Sequence, residues 1–549
     1  MSKKVLILLF SVIILVAVVL RFWQLGNVPV SPDWDEAALG YNAYSILHTG
    51  RDEYGKFLPV VLKSFGDYKP ALYSYLVIPS IMAFNLTVFA VRFPSAVFGI
   101  LTVIAVFFLV RELFNGYKHR DELSLLSAFL LAISPWHIQF SRVAFESNVG
   151  LALNVFAALF FVLGLRKRLF LILSSVPGAL AIYVYQSEKV FTPLLFLLLI
   201  AVFYKDFFKI PKKYLLGFLI SGLILVLPMV AYITGDSNSL LRAKGTSIFA
   251  QQTDLLRHSI VNLEQDKRNN DVIGLLVDNR RVVYLTAIIG GYLSHYDLNW
   301  LFIKGDIGRH HAPQMGLLYL WELPFLLIGI YSLIFGDFNK KTKLLFFGWF
   351  LLAPIPASIT TGVPHAVRTL NFLPTFQLFV AIGIIGSLIF VSRIKYQILN
   401  VKVWKLFVIF YLLFAIFNFT YYLNQYFVQQ NYFNSQDWQY GYQQAVKDVS
   451  SIKSQSKVVV SNSGTMDQSY IFFLFYLKSN PKNYQENTIY DNDIRRFDNF
   501  EFRKINWEKD SKLKNVTFVG SAQDFPGDVR TIDIIHYLNG EEAMKIVKN

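Results

Sequence analysis

Three acids, Asp33, Asp35 and Glu36, fall within four residues in SPDWDEAALGYNAYSILHTG (31–50), just after an apolar run that carries no charge from Val5 to Leu20. A carboxylate so placed can take a proton from an attacking hydroxyl or hold a cation. Helix grammar accounts for two of the three. Asp33 caps a helix beginning near Trp34, Glu36 completes a capping-box-like pattern, and Gly50 ends the helix after His48. Asp35 is left over, and is the candidate reactive carboxylate.

A cation follows in GDYKPALYSYL (66–76). Pro70 suits the first turn of a helix, which would put Lys69 at the positive end of the helix dipole, where a cation is disfavoured. An anion docked there resolves the conflict, because free backbone N–H groups and an ammonium together make a phosphate site. The alternative is a lysine reaching up to lipid headgroups.

Further polar groups recur between apolar runs. SPWHIQFSRVAFESN (134–148) holds Arg142 and Glu146, whose spacing also suits a helical i,i+4 pair. HYDLNWLFIKGDIGRHHAPQMG (295–316) offers Lys304, Asp306, Arg309, His310 and His311, and TTGVPHAVRTLNF (360–372) offers His365 and Arg368, which could equally be interfacial anchors. The adjacent histidines come with no H-x-x-x-H spacing or companion carboxylate pattern, so a phosphate or sugar contact is expected of them and no metal site is assigned. YVYQSEK (183–189) reads as part of an aromatic belt.

The elements that position these residues are membrane spans. The chain is 54% hydrophobic, its mean hydropathy is +0.42, and apolar runs of bilayer-spanning length recur throughout, so it reads as a polytopic α-helical membrane protein. It has no cysteine, which excludes disulfides and thiol chemistry. Its net charge of +15 could suggest nucleic acid, but the short cationic clusters sit between apolar runs, where topology explains them better. The first run ends in Arg21, Phe22 and Trp23 where a cleavage site would need small residues, so it reads as a signal anchor with a cytoplasmic amino end. Ten further spans are expected at about 93–112, 122–135, 149–165, 169–185, 190–204, 214–234, 317–336, 343–359, 371–392 and 404–424, making about eleven transmembrane helices.

Charge bias orients them. The segments facing the cytoplasm would hold nineteen Lys and Arg, among them Arg111, Arg166, Lys205, Lys341 and Lys395, against Arg142, Lys189 and Arg368 in the short loops opposite. That bias requires PALYSYLVIPSIMAF (70–84), short and broken by Pro79, to lie at the interface without crossing. Residues 1–424 form the membrane domain, with extracytoplasmic loops at about 21–92 and 235–316, the second carrying an interfacial candidate at 282–293. Residues 425–549 turn polar, alternate helix-like and strand-like stretches, and read as a small extracytoplasmic α/β domain. The expected localisation is the cytoplasmic membrane, multi-pass.

Charge is nearly absent from the spans, Glu322 excepted, whereas ion-coupled transporters need ionisable groups inside the bundle. Chemistry at one surface is the better reading. The chain resembles the polyprenyl-phosphate-sugar-dependent glycosyltransferases of the GT-C fold, the group of protein O-mannosyltransferases and aminoarabinose transferases of lipid A. The resemblance rests on Asp35–Glu36 after the first span, YKPALYSYL with Lys69–Pro70, VRFPSAVFGILTVIAVFFLVREL (91–113), SPWHIQFSR and YVYQSEKVFTPLL, and covers about the first 200 residues well.

The resemblance implies that Asp35 is the catalytic carboxylate and that Lys69 binds the carrier phosphate. Glu36, Tyr68, Arg142, Lys304, Arg309, His310 and Arg368 are the other candidate substrate contacts. Where the aminoarabinose enzymes have Glu-Lys-Pro-Pro, this chain has Tyr68-Lys69-Pro70-Ala71, so one carboxylate is missing and Asp67 is its nearest replacement. The expected reaction moves a hexosyl or pentosyl group from a polyprenyl-phosphate-linked sugar to a hydroxyl of a lipid, protein or glycan. No cofactor is established, although a divalent metal ion could assist. The alternatives are a glycan ligase or polymerase using a diphosphate carrier, a carrier-lipid transporter or flippase, and a scaffold in which the tail binds a partner.

Overall fold

The structure is a computed structural model that describes residues 1–549 apart from 237–244, 251, 395–400, 452–456 and 492. Lys395 of the charge count and residues 452–456 of the tail lie outside the described residues, as does part of the long loop. In chain order the membrane half begins with α1 (Lys3–Phe22), α2 (Trp34–Thr49), the antiparallel hairpin β1 (Val61–Ser64) and β2 (Asp67–Pro70), and α3 (Leu72–Phe84). It continues with α4 (Val88–Leu113), α5 (Arg120–Ile133), α6 (Pro135–Ser141), α7 (Glu146–Gly164), α8 (Leu169–Ala181) and α9 (Glu188–Val202). Later apolar helices are Lys212–Gly235, Glu322–Phe335, Lys340–Leu352, Thr375–Ile394 and Val401–Asn424.

A helix stands at each of the eleven expected spans, but the count of eleven crossings is not confirmed. Among the described residues six helices are long and apolar enough to cross a membrane, or seven if α5 and α6, bent by 60°, make one span. Helices such as α8 and α9, of 13 and 15 residues, reach only about 20 Å at 1.5 Å per residue. The chain is an integral membrane protein. α3, of 13 residues, is likewise short. Two helices pack without side chains between them: a Cβ on Gly329 would lie 1.7 Å from the Phe379 carbonyl oxygen, and one on Gly383 1.9 Å from that of Phe325. Small residues let the backbones of Glu322–Phe335 and Thr375–Ile394 meet, as is common where lipid removes the hydrophobic drive between helices.

Basic connections gather at one end of the bundle. Arg166 pairs with Glu112 at 2.9 Å, Lys341 pairs with Asp206, and the Thr342 hydroxyl donates to the Leu113 carbonyl at 3.0 Å.

The tail folds as expected of an α/β unit. A seven-stranded sheet runs in the order β4 (Ile489–Asp491), β5 (Ile494–Phe497), β6 (Phe500–Arg503), β3 (Lys457–Ser461), β7 (Val516–Gly520), β9 (Glu542–Lys548) and β8 (Thr531–His536), with β3 parallel to β6 and β7. The helix Ser469–Leu477 is buried from Ser469 through Phe475. Its outward face is covered by α2, so α2, α3 and the tail share one core that includes Leu39, Tyr73, Phe472 and Phe502. The tail is thereby built onto the helix that carries Asp35.

Candidate active site

α2 starts as its sequence dictates. Asp33 has extended backbone, its Oδ1 accepts from the Glu36 N–H at 2.8 Å, and Gly50 closes the helix with φ of 67°. The capping box does not form. Glu36 is buried and accepts from Arg92 Nε at 2.9 Å, Arg92 Nη2 at 2.8 Å and the Ala144 N–H at 2.9 Å. Arg92, fully buried, also donates to the carbonyls of Leu25, Pro29 and Ser31. Glu36 therefore locks the first loop onto α4 and does not reach substrate space.

Lys69 is placed differently from the expectation. Pro70 ends strand β2, and α3 begins two residues later with Ala71 as its cap, so Lys69 lies in a hairpin and not against a helix dipole. Proline at a strand end forfeits no ladder donor, which is why the dipeptide fits either role. The Lys69 ammonium is largely buried and pairs with Asp35, whose side chain is 36% exposed.

That pair opens onto a cavity of about 180 Å³ lined also by Glu146, Tyr185, Gln186, Arg309, His310, His365 and Arg368. Of the expected site residues, Asp35, Lys69, Arg309, His310 and Arg368 converge here. Tyr68, Arg142 and Lys304 do not line it. The Tyr68 carbonyl accepts from Gln186 Nε2 at 2.9 Å, Lys304 is exposed at the end of a π-helical turn, and Arg142 is fully buried. The Arg142 guanidinium donates to the carbonyls of Leu20, Arg21 and Val28 and lies 4.7 Å from the Phe427 ring centre, so it ties down the end of α1. Glu146, Tyr185, Gln186 and His365 also line the cavity, although their sequence contexts suggest only a helical pair, an aromatic belt and an anchor.

Two loops supply two further cations, Arg309 and Arg368. Arg309 Nη1 donates to Asp33 Oδ2 at 2.8 Å and its guanidinium stands 5.5 Å from the Trp34 ring centre. Burial raises Asp33 to about 6 against the pull of Arg309. The Arg309 carbonyl accepts from Gln139 at 2.8 Å, and the neighbouring Gly308 carbonyl from Asn434 at 2.6 Å, so α6 and the start of the tail fix this loop. Arg368 donates to the Thr360 hydroxyl and the Thr361 carbonyl.

Between the loops lies a cluster that the adjacency of His310 and His311 does not announce. Asp306 stands four residues before His310, a carboxylate–histidine pair at helical spacing, and His310 Nδ1 is 3.1 Å from Asp306 Oδ2. His365 joins them, and one ligand atom from each of the three lies within 4.8 Å of the others. Burial resists ionisation of Asp306, but the His310 and Ala366 N–H groups outweigh it and hold the carboxyl at about 2. Burial also lowers His310, takes His295 to about 4, and with the Arg368 guanidinium takes His365 to about 3.

Chemically, the cavity offers the exposed Asp35 carboxylate, the more deeply buried Glu146, three cations and two imidazoles. That arrangement can bind a phosphate and accept a proton beside it.

A family model for dolichyl-phosphate-mannose-protein mannosyltransferases matches residues 68–232. Among curated proteins no match is found. Among solved structures, ArnT from Cupriavidus metallidurans bound to undecaprenyl phosphate is similar over 100% of this chain and 98% of its own, with a TM-score of 0.54 and 12% identity. Its apo state covers 98% and 97%, with a TM-score of 0.53 and 12% identity. The archaeal oligosaccharyltransferase AglB from Archaeoglobus fulgidus, in complex with an inhibitory peptide and a dolichol-phosphate, covers 94% of this chain and 69% of its own, with a TM-score of 0.50 and 11% identity. The expected fold is borne out: a helical GT-C-like membrane domain with a C-terminal sheet domain.

Proposed function

We propose that this protein is a membrane glycosyltransferase that moves a sugar from a polyprenyl-phosphate carrier to an acceptor hydroxyl on the extracytoplasmic face. The observation that carries the reading is the Asp35–Lys69 pair at the mouth of a cavity that also holds Arg309 and Arg368. The cavity suits a phosphate headgroup, being smaller than the roughly 300–1,000 Å³ of a site that encloses a whole ligand. The family match over 68–232 and the undecaprenyl phosphate bound by ArnT support the choice of carrier. Every lining segment comes from loops that the charge bias puts outside, and the basic connections meet at the opposite end, which supports a cytoplasmic amino end and an extracytoplasmic tail.

In the resting state Lys69 neutralises Asp35. A donor phosphate entering beside Arg309 and Arg368 competes for the Lys69 ammonium, and Asp35 is released to act as base. Asp35 takes the proton of the acceptor hydroxyl as that oxygen attacks the anomeric carbon, the bond from that carbon to the phosphate oxygen breaks, and the carrier leaves as its phosphate. Lys69 and the two arginines stabilise the charge that grows on the departing group. Asp306, His310 and His365 are the residues fitted to hold a divalent ion, which when bound would add positive charge beside the phosphate. The group moved is a hexosyl or pentosyl residue; Tyr68 stands where the aminoarabinose enzymes have a glutamate before the lysine, so their sugar and acceptor are not carried over to this chain.

Mass spectrometry of carrier lipids and surface glycans, with wild type or Asp35→Asn restored to a deletion strain, tests the reading. Wild type should restore a glycan that the variant does not, with sugar-loaded carrier accumulating in its absence. Identical glycans in both strains would overturn it.

A further inference from the structure

The cluster of Asp306, His310 and His365 is drawn from two loops, and no backbone hydrogen-bond ladder joins them among the described residues. Its parts are held from outside. The Ala366 N–H donates to Asp306 Oδ2 at 2.5 Å and the Ile307 N–H to Asp306 Oδ1 at 2.8 Å. His295 Nε2 accepts from the His365 N–H at 3.2 Å while His295 Nδ1 sits 2.7 Å from the Gly291 carbonyl, so a third histidine fixes the backbone of the second loop. The His310 ring is walled by Phe140 and Phe145, at 5.9 and 5.6 Å between ring centres, and faces the His365 ring at 5.1 Å. A hydrogen-bonded cluster explains Asp306 and His310. It leaves one atom over: His365 Nδ1 is buried and has no hydrogen-bond partner among the described residues.

We infer that Asp306, His310 and His365 bind one divalent transition-metal ion of the zinc class, which clamps the loop bearing Arg309 to the loop bearing Arg368. Two imidazoles and one carboxylate are borderline donors, suited to zinc and its neighbours and poorly matched to magnesium or calcium, which take oxygen. Bonds of about 2.0–2.2 Å place ligand atoms roughly 3–3.5 Å apart, so the ion draws the set together by about an ångström at its widest. It replaces the proton shared by Asp306 Oδ2 and His310 Nδ1, leaving the His310 proton on Nε2, and it gives His365 Nδ1 its partner. The Ala366 N–H on Asp306 is the outer contact that orients a ligating carboxylate. Three protein ligands leave a position open, and His310 and His365 both line the cavity, so that position faces the space shared by Asp35, Arg309 and Arg368.

Metal binding stands apart from the transferase reading and is tested without donor or acceptor. Wild-type protein purified in mild detergent, stripped with a chelator and titrated with Zn²⁺ alone by calorimetry, should take up one ion per chain. Elemental analysis before stripping should find a transition metal at the same stoichiometry. Asp306→Asn and His365→Gln should each weaken uptake at least tenfold, whereas His311→Gln, next to the set but outside it, should bind as wild type. If one triad variant elutes as an aggregate, the other decides, and the d–d spectrum of Co²⁺-loaded wild type reports the nitrogen–oxygen ligand set directly. Failure of stripped, monodisperse wild type to bind Zn²⁺ stoichiometrically would overturn the proposal, as would equal binding by the triad variants.

Discussion

Asp33 and Arg309, 276 residues apart, are joined by a 2.8 Å ion pair in which the carboxylate is also a helix cap: Oδ1 holds the first turn of α2 and Oδ2 holds the long loop. One buried side chain thus sets both the helix that presents Asp35 and the loop that presents Arg309. Substitution should reveal the coupling. Asp33→Asn keeps a capping oxygen but not the charge, so it should raise KM for the lipid donor with a smaller effect on kcat. Arg309→Gln should do the same, and the double variant should be little worse than either. A double-mutant cycle on kcat/KM is expected to give a coupling of about 1–3 kcal/mol; strictly additive effects would mean that the pair does not position the site.

Lys69→Ala removes the cation that neutralises Asp35 in the empty site. Loss of a charge-assisted contact to phosphate should weaken binding of undecaprenyl phosphate by roughly 10–100-fold, the equivalent of about 1.5–3 kcal/mol. Because the Asp35 side chain is 36% exposed at the cavity, it can be solvated once Lys69 is gone, and the melting temperature in detergent should change little. Unchanged lipid affinity by microscale thermophoresis would return Lys69 to a purely structural role.

Glu36 should behave in the opposite way. Its neighbour Asp35 faces the cavity, but Glu36 is buried against Arg92, and Glu36→Gln would leave that guanidinium in the core without its counter-charge. Removing one partner of a buried pair costs about 3–5 kcal/mol. Thermal unfolding in detergent should therefore show a clear loss of stability for Glu36→Gln and a smaller one for Asp35→Asn, whose partner Lys69 lies at the cavity. A stable but inactive Glu36→Gln would show that this carboxylate acts on substrate after all.

What could be read from the chain followed the range of the forces involved. Asp33 as cap, Gly50 as helix end, the positions of the apolar helices and the mixed helix and strand character of the tail depend on near neighbours, and they stand where periodicity and turn chemistry put them. Asp35, Lys69, Arg309, His310 and Arg368 were legible as chemistry, but their meeting in one cavity is a property of the fold. The misplacements share a cause. Glu36 finds Arg92, Arg142 finds the end of α1 and Asp306 finds the Ala366 N–H across 56 to 122 residues, and no local pattern encodes such partners. Lys69–Pro70 failed differently, since proline punctuates a strand end as well as a helix start.

The tail's attachment should depend on pH through Glu53. This residue of the first loop is buried beside the tail: Asn42 Nδ2 donates to its Oε1 at 3.4 Å, its Oε2 has no hydrogen-bond partner among the described residues, and Arg495 approaches from β5, where its guanidinium stacks 3.3 Å from the Tyr470 ring centre. Burial raises Glu53 to about 7, with Arg495 and Asn42 pulling the other way. An acid whose folded pKa lies above its unfolded value of about 4.3 holds its proton better in the native state. Its contribution to stability is fully present below about pH 4.3, declines as the unfolded chain ionises first, and is gone once the pH has risen through about 7. The decline amounts to at most about 3–4 kcal/mol, because each tenfold difference in proton affinity between the folded and unfolded chain is worth roughly 1.4 kcal/mol. Wild type should therefore melt at a lower temperature at about pH 8 than at about pH 5, and limited proteolysis should release the tail more readily at the higher pH. Glu53→Gln cannot ionise and should make both profiles shallower between those limits, leaving the slope of other raised acids such as Asp33. If the variant kept the wild-type slope, the titrating group would lie elsewhere and Glu53 would not govern how the tail holds to the helix that carries Asp35.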